Sequence, residues 1–290
     1  MFSKKSIRVE VQKISGNYTP FSGTYSFSDL PIEVKINKVK MPAGYTANID
    51  IYGITKSKMD SMTVLRWKTL NIDKIAVRVY VNDGKGEDLL FEGNVMSAAP
   101  NYNNAPDICI SITACAGAWY NLMTDVPPSS FSDATVSAPI LFNDICSKYG
   151  LKADVRGLND KMTSLTYVDG NGLAVRLAKA AKALDVQYFI DNSVVRVWPK
   201  DNFRYEVGQP ITLTSNDYIG YPSFNAAGIH LKLDRLLHPV QLGDFFIIKN
   251  SEVTAANDKW AICKIIYNIS TRLGGKWQTE MDGVRVGILD

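Results

Sequence analysis

Apolar and polar residues alternate with a period of two along much of this chain, the signature of strands buried on one face. The pattern is densest in the last quarter, Tyr218 to Met281. Ile229, Leu231 and Leu233 alternate there with His230, Lys232 and Asp234. Leu242-Gly243-Asp244 reads as a turn, Phe245 to Ile248 as a short core strand, and Trp260 to Ile269 as a long strand apolar on both faces. Gly274-Gly275 then turns the chain into Lys276-Trp277-Gln278-Thr279. The first part is also β-rich. Ile7, Val9 and Val11 alternate with charges, Ile32 to Val39 alternates, and strands are predicted over Ala47–Ile54, Ile75–Val81, Leu89–Val95 and Asp107–Ala114. Asn82-Asp83-Gly84 is a hairpin turn signal. A short helix is expected within Lys56–Thr69, around Met59, Met62 and Leu65.

The period changes between about Thr135 and Pro199. Pro139 follows Ser137 at a first helical position, Gly150 marks a helix stop, and Ile140, Leu141, Ile145, Cys146 and Tyr149 form a stripe between them. A second helix is predicted over Leu173–Leu184. Leu173, Leu177, Ala181 and Leu184 occupy one face, with Arg176, Lys179 and Lys182 on the other. Gln187–Ile190, the turn Asp191-Asn192 and Ser193–Val197 then make a hairpin. Pro127-Pro128-Ser129-Ser130 and Pro199-Lys200-Asp201-Asn202 punctuate the boundaries. The expected plan is mainly β with an α+β insert: a barrel-like unit over residues 1–130, the insert over 131–203, and a second barrel-like unit over 204–290.

Composition narrows the chemistry. The chain has 290 residues, 46% hydrophobic and 21% charged, which is ordinary for a globular protein. It has no apolar run of about 18 residues, so no membrane span is expected. The alternating first strand argues against a signal peptide, and folding in a cytoplasm is the expectation. A formal charge of +3 supplies no basic stripe for gripping nucleic acid. Lys35, Lys38 and Lys40 interleave with Val34, Ile36 and Val39, which predicts a solvated strand face. Cys109, Cys115, Cys146 and Cys263 match no zinc spacing and are expected as buried free thiols.

Catalytic groups are sparse. His230 and His238 are the two histidines, one on the polar face of a strand and one before Pro239, so neither a Ser-His-Asp triad nor a His-rich metal site is well supplied. Glu87-Asp88, Glu92 and Asp107 are the carboxylates that a glycosidase reading would use, but all flank turns or strand ends. The Asp169-Gly170-Asn171-Gly172 loop precedes a helix and suits an anion or, equally, a simple cap, with no GxGxxG or Walker pattern after it. Tyr18, Phe21, Tyr25 and Phe27 alternate loosely in a Gly/Ser/Thr-rich stretch. They read either as a stacking platform or as an arm packed on a neighbouring subunit, and the arm is expected. No catalytic, cofactor-binding or metal-binding residue is assigned.

Three stretches together resemble the phage tail baseplate hub family, the late-control and tail-hub proteins. The first is the I-Y-G-I strand with LLFEGNVMSAAPNYNNAPDICISITACAG. The second is TVSAPILFNDICSKYGL followed by DGNGLAVRLAKAAKALDVQYFIDNSVVRVWP. The third is IGYPSFNAAGIHLKLDRLLHPVQLGDFFIIKNS with WAICKIIYNISTRLGGKWQTEMDG. The resemblance implies a non-enzymatic structural protein of the virion tail. It implies a homotrimer whose two tube-like β-barrels per subunit flank the insert and make a pseudo-sixfold ring. That ring would join a sixfold tail tube to a threefold central spike around the channel through which DNA passes as cargo. Implied partners are the spike (expected as a separate polypeptide), the tube or tube-initiator protein, the tape-measure protein and the wedge proteins. The ring contacts are expected on the outer barrels and not on the insert. The alternative reading is a carbohydrate-binding or lytic tail module acting on a cell envelope.

Overall fold

The computed structural model describes residues 5–15, 23–39, 45–64, 74–84, 86–103, 105–117, 120, 126–200, 210–226 and 228–286. The first segment holds β1 (Ser6–Ser15), β2 (Thr24–Phe27), β3 (Ile32–Val39), β4 (Tyr45–Tyr52), α1 (Lys56–Ser61), β5 (Lys74–Asn82), β6 (Glu87–Asn101) and β7 (Cys109–Cys115). The middle holds β8 (Ser129–Ser130), β9 (Val136–Ser137), α2 (Ala138–Ser147), β10 (Lys152–Val155), β11 (Met162–Thr163), β12 (Tyr167–Val168), α3 (Leu173–Leu184), β13 (Val186–Asp191) and β14 (Val194–Pro199). The last holds β15 (Ile211–Leu213), β16 (Ser223–Asn225), β17 (Gly228–Leu233), β18 (Phe245–Ile248), β19 (Lys259–Ser270) and β20 (Trp277–Arg285).

Strands from the first and last segments join in one sheet, ordered β16-β17-β20-β19-β3-β4-β7-β6-β5-β1-β2, with β15 and β18 attached off this path. The seam is β3 against β19, antiparallel from Lys264↔Val39 to Ser270↔Glu33. Beyond a bulge at Ile262/Lys264, the N-terminal end of β19 pairs with β18 instead. One strand therefore serves two neighbours along its length, and the bulge supplies the bend that this requires.

Period-2 patterning sets which face is buried. On β3, Ile32, Val34 and Ile36 are buried while Glu33 and Asn37 are half-buried and Lys35 is exposed. Burying each such aliphatic side chain is worth about 1.5–3 kcal/mol. Close backbone approach sets two glycines. A Cβ on Gly93 would lie 2.9 Å from the Cys115 backbone, and one on Gly228 (φ +127) would lie 2.2 Å from the Gly283 carbonyl oxygen.

The insert is a three-stranded sheet, β10-β14-β13, with β10 parallel to β14, packed against α2 and α3. Pro139 sits in the first turn of α2, where its missing N–H costs nothing. The β13–β14 hairpin turns at Asn192, in the left-handed region with φ 55, and its tip reaches the main sheet.

Several elements differ from the sequence reading. β6 runs to Asn101, well past Val95, because the bulge between Val95 and Ser97 lets it continue along β7. α1 ends at Ser61, and Leu65, like Tyr18, Phe21 and Lys40, lies outside the described residues. Lys38 is not on a solvated face. It occupies the fourth core position after Ile32, Val34 and Ile36, and is 1% exposed. Arg176 is buried too, at 2% exposed. Its guanidinium donates to the carbonyls of Gly170 (3.1 Å), Pro127 (2.6 Å) and Val126, which fastens the chain entering the insert to the start of α3.

Candidate functional site: a buried junction of three segments

Lys38 on β3 projects into the space where the first segment, the insert and the last segment meet. Its Nζ lies 3.5 Å from Asp191 Oδ1 at the end of β13. It also sits over the ring of Tyr45 on β4 (4.5 Å to the centroid) and that of Tyr267 on β19 (5.7 Å), where the ring faces attract the cation. Burial pushes the Lys38 pKa down, opposed mainly by the attraction of Asp191. Both tyrosines are pushed up by burial and stay neutral donors. The Tyr45 hydroxyl donates to the Leu90 carbonyl, and that of Tyr267 to the Leu237 carbonyl at 3.0 Å.

Asp191 is shared. Its Oδ2 accepts from Arg196 Nε and Nη2, both at 3.2 Å. Arg196 Nη1 continues to Asp154 Oδ2 at 2.8 Å, and Asp154 Oδ1 accepts from Arg156 Nε at 2.7 Å. Charges of alternating sign thus run from the core of the main sheet across the insert sheet. A buried pair of this kind adds little net stability but penalises any arrangement that separates its members.

Three of the four carboxylates weighed for glycosidic chemistry, Glu87, Glu92 and Asp107, are engaged in holding the fold. Glu92 Oε1 accepts from Arg78 at 2.8 Å and its Oε2 accepts from Ser193 at 2.9 Å, while its backbone N–H donates to Asn192 Oδ1 at 2.8 Å. Glu92 therefore clamps the insert hairpin to β6. Asp107 pairs with Arg272 at 2.7 Å, tying the loop before β7 to the β19–β20 turn. Glu87 is held by Arg8, whose hydrogen bond keeps the carboxyl below its ordinary range. Asp88 is exposed, 3.9 Å from His238 Nδ1.

His230 Nδ1 is 2.7 Å from Asp282 Oδ1, across neighbouring strands, and Lys264 Nζ is 3.7 Å from the other oxygen. At the start of α3, Lys179 and Arg176 occupy the Asp169–Gly172 loop: Lys179 reaches Asp169 at 2.7 Å and Arg176 the Gly170 carbonyl. Of the four aromatics, Tyr25 and Phe27 are described. Lys58 lies over both rings, at 4.7 and 4.8 Å to their centroids, within the same chain. None of the four cysteines is in a disulfide; Cys109 and Cys146 are buried, while Cys115 and Cys263 are part-exposed. Among the described residues no three His, Cys, Asp or Glu side chains gather as metal ligands. No described helix is long and apolar enough to cross a membrane.

Comparison with known proteins gives this architecture a family. The family model described as baseplate hub gp41 matches residues 13–277. The chain belongs to the baseplate hub gp41 family. The hub's fold is similar to the 43 kDa tail protein of prophage MuSo2 from Shewanella oneidensis, with a TM-score of 0.61, 10% identity and 97% of each chain covered. The tail protein from Neisseria meningitidis MC58 gives the same values. An Escherichia coli type VI secretion component, described as structurally similar to the T4 bacteriophage tail proteins gp27 and gp5, follows at TM-score 0.57 and 6% identity, over 97% of this chain and 77% of that one. Curated protein sequences give no match. The mainly β architecture with a small helical insert is thus that of tail hub proteins, and the hub is a structural component of a virion tail.

Sequence reasoning missed Lys38, Asp191 and Arg176 as the hub's internal fasteners. For Lys38 a signal existed: it falls in register with Ile32, Val34 and Ile36. Arg176 lies one position before Leu177 in the apolar stripe, on its shoulder rather than opposite it.

Proposed function

We propose that this hub assembles as a homotrimer, closing a pseudo-sixfold ring that joins the tail tube to a central spike around the DNA channel. The observation that carries the reading, beside the family itself, is the β3–β19 seam. It joins strands of the first segment, β1–β7, to strands of the last, β15–β20, in one sheet. On this reading each subunit offers two β units to a ring, and the insert between them is held by its hairpin tip at Glu92 and by Arg176 at the entering chain. Ring closure repeats one heterologous contact, and the sheet order ends on two edges, β16 and β2, that can take part in it. Ile219, Tyr221 and Phe224, all exposed, lie on or just before β16. On this reading the partners are the spike, the tube or its initiator, the tape-measure protein and the wedge proteins, met during assembly in the host cytoplasm. DNA passes as cargo, and a near-neutral protein avoids holding it.

Light scattering over a wide concentration range tests the reading. A species of three times the 32.1 kDa chain mass, alone or on adding the spike, is expected. A strict monomer with spike present refutes it. The competing lytic or carbohydrate-binding reading is tested by Glu92→Gln and Asp107→Asn. Glycan binding or turnover by the parent that either change abolishes, with the fold intact, would favour that reading instead.

A further inference from the structure

Just before the edge strand β16, a cavity of about 270 Å³ is lined by Ser215, Tyr218, Gly220, Tyr221 and Glu252. This is slightly below the size range of small-molecule pockets and suits a single long side chain. Its walls are two fixed turns. Between β15 and β16, Asp217 Oδ2 accepts from the Thr214 N–H at 2.8 Å and from the Thr214 hydroxyl at 2.9 Å, and the Ile219 N–H donates to the Lys232 carbonyl at 2.7 Å. After β18, Asn257 Oδ1 accepts from the Ser251 N–H at 2.8 Å, and Asn257 Nδ2 donates to the Ser251 carbonyl at 3.0 Å. Walls already ordered lower the cost of binding. The lining carries one sign of charge. Glu252 is exposed and accepts from the Tyr221 hydroxyl, which leaves its carboxylate further lone pairs. Among the described residues no lysine or arginine lines the cavity. Tyr218 is 8% exposed, and its hydroxyl is buried with no hydrogen-bond partner, an arrangement that is rare for a buried polar atom.

We propose that this cavity is a socket for an arginine side chain of a partner protein, whose guanidinium pairs with Glu252, lies against the Tyr221 ring and donates to the Tyr218 hydroxyl oxygen. The choice of arginine follows from the lining. A carboxylate, an exposed aromatic face and a hydroxyl acceptor match a planar fork of N–H donors that also stacks on rings. A lysine ammonium is a more strongly hydrated point charge and would use fewer of these groups. Ile219 and Phe224, on either side of Tyr221 in sequence, are exposed as well. The charged socket therefore lies in an apolar stretch, the setting in which an anchoring arginine contributes most to an interface. The inference is independent of ring closure, because one chain carries the whole socket.

NMR titration of the full chain with N-acetylarginine methylamide, and in parallel with its lysine counterpart, reads the socket directly. The arginine probe is expected to give saturable shifts centred on Tyr218, Tyr221 and Glu252, weakening as salt is added. The lysine probe should bind several-fold more weakly. Glu252→Gln keeps the shape of an exposed position and should weaken the arginine probe about tenfold, the scale of a lost charged hydrogen bond. Tyr218→Phe removes only the orphaned hydroxyl and should weaken it a few-fold. If Tyr218→Phe fails to fold, Glu252→Gln decides, since Glu252 is exposed. Shifts that never saturate or that scatter over the surface overturn the proposal, as does an arginine response unaltered by Glu252→Gln. Equal binding of the lysine probe overturns the assignment to arginine.

Discussion

Replacing Lys38 by methionine removes the cation from the junction while keeping an unbranched apolar stem between Tyr45 and Tyr267. The cost can be worked from the structure. With Nζ 3.5 Å from Asp191 Oδ1, the attraction at an effective dielectric of 20 is about 5 kcal/mol, an upper bound because desolvation opposes it. Breaking a buried pair by deleting one partner typically costs about 3–5 kcal/mol. Arg196 continues to satisfy the other Asp191 oxygen, which places the expected loss near the lower end, at about 3 kcal/mol. The double change Lys38→Met with Asp191→Leu leaves no orphaned charge, since Arg196 keeps Asp154 at 2.8 Å. It should recover to within about 1 kcal/mol of the parent. Urea unfolding of parent, both single variants and the double variant yields the coupling energy. A Lys38→Met midpoint within about 1 kcal/mol of the parent, or a double variant no better than Asp191→Leu alone, would refute the view that this pair polices how the three segments fit.

Leu177→Asp places a carboxylate at a fully buried site between α3 and the insert core; a loss of more than about 4 kcal/mol is expected. Cooperative melting of the insert at an unchanged temperature would contradict it. Arg176→Met strips three carbonyls of their charged donor and should cost about 2–4 kcal/mol. Limited proteolysis should then cut near Pro127-Pro128, and a linker as resistant as the parent's would count against the fastening role. Burial pushes the Cys146 thiol up to about 12, so at pH 8 it is protonated in the folded protein and alkylates only on unfolding. Mass spectrometry after iodoacetamide treatment of native protein should find Cys146 unmodified.

Much of the fold was legible because strand patterning is local. Alternation at Ile229–Leu233 and Ile75–Val81, the Asn82-Asp83-Gly84 turn, and Pro139 and Gly150 around α2 all depend on residues close in sequence. The mostly β plan and the insert followed from them. What connects the elements was not legible. Nothing in β3 states that its partner is β19, because the pairing depends on complementary faces far apart in the chain. The junction was hidden for a related reason. A lysine inside an alternating strand reads as polar, and its burial becomes tolerable only when Asp191 arrives from the insert and two rings from the sheets. Glu92 looked available for chemistry until Ser193 and Arg78 were placed on its two oxygens.

The seam has a consequence for synthesis. Ile32 and Thr271, bonded across it, are 239 residues apart in sequence, so β3 emerges from the ribosome long before the strand that covers its edge. Until β19 is made, β3 presents unpaired backbone groups, the kind of edge that captures strands from other chains. Contacts so distant also form slowly, since loop closure must precede any gain from pairing. Nascent chains truncated before β19 should therefore be the aggregation-prone species during expression, and completing the final hairpin should be the step that makes the chain soluble.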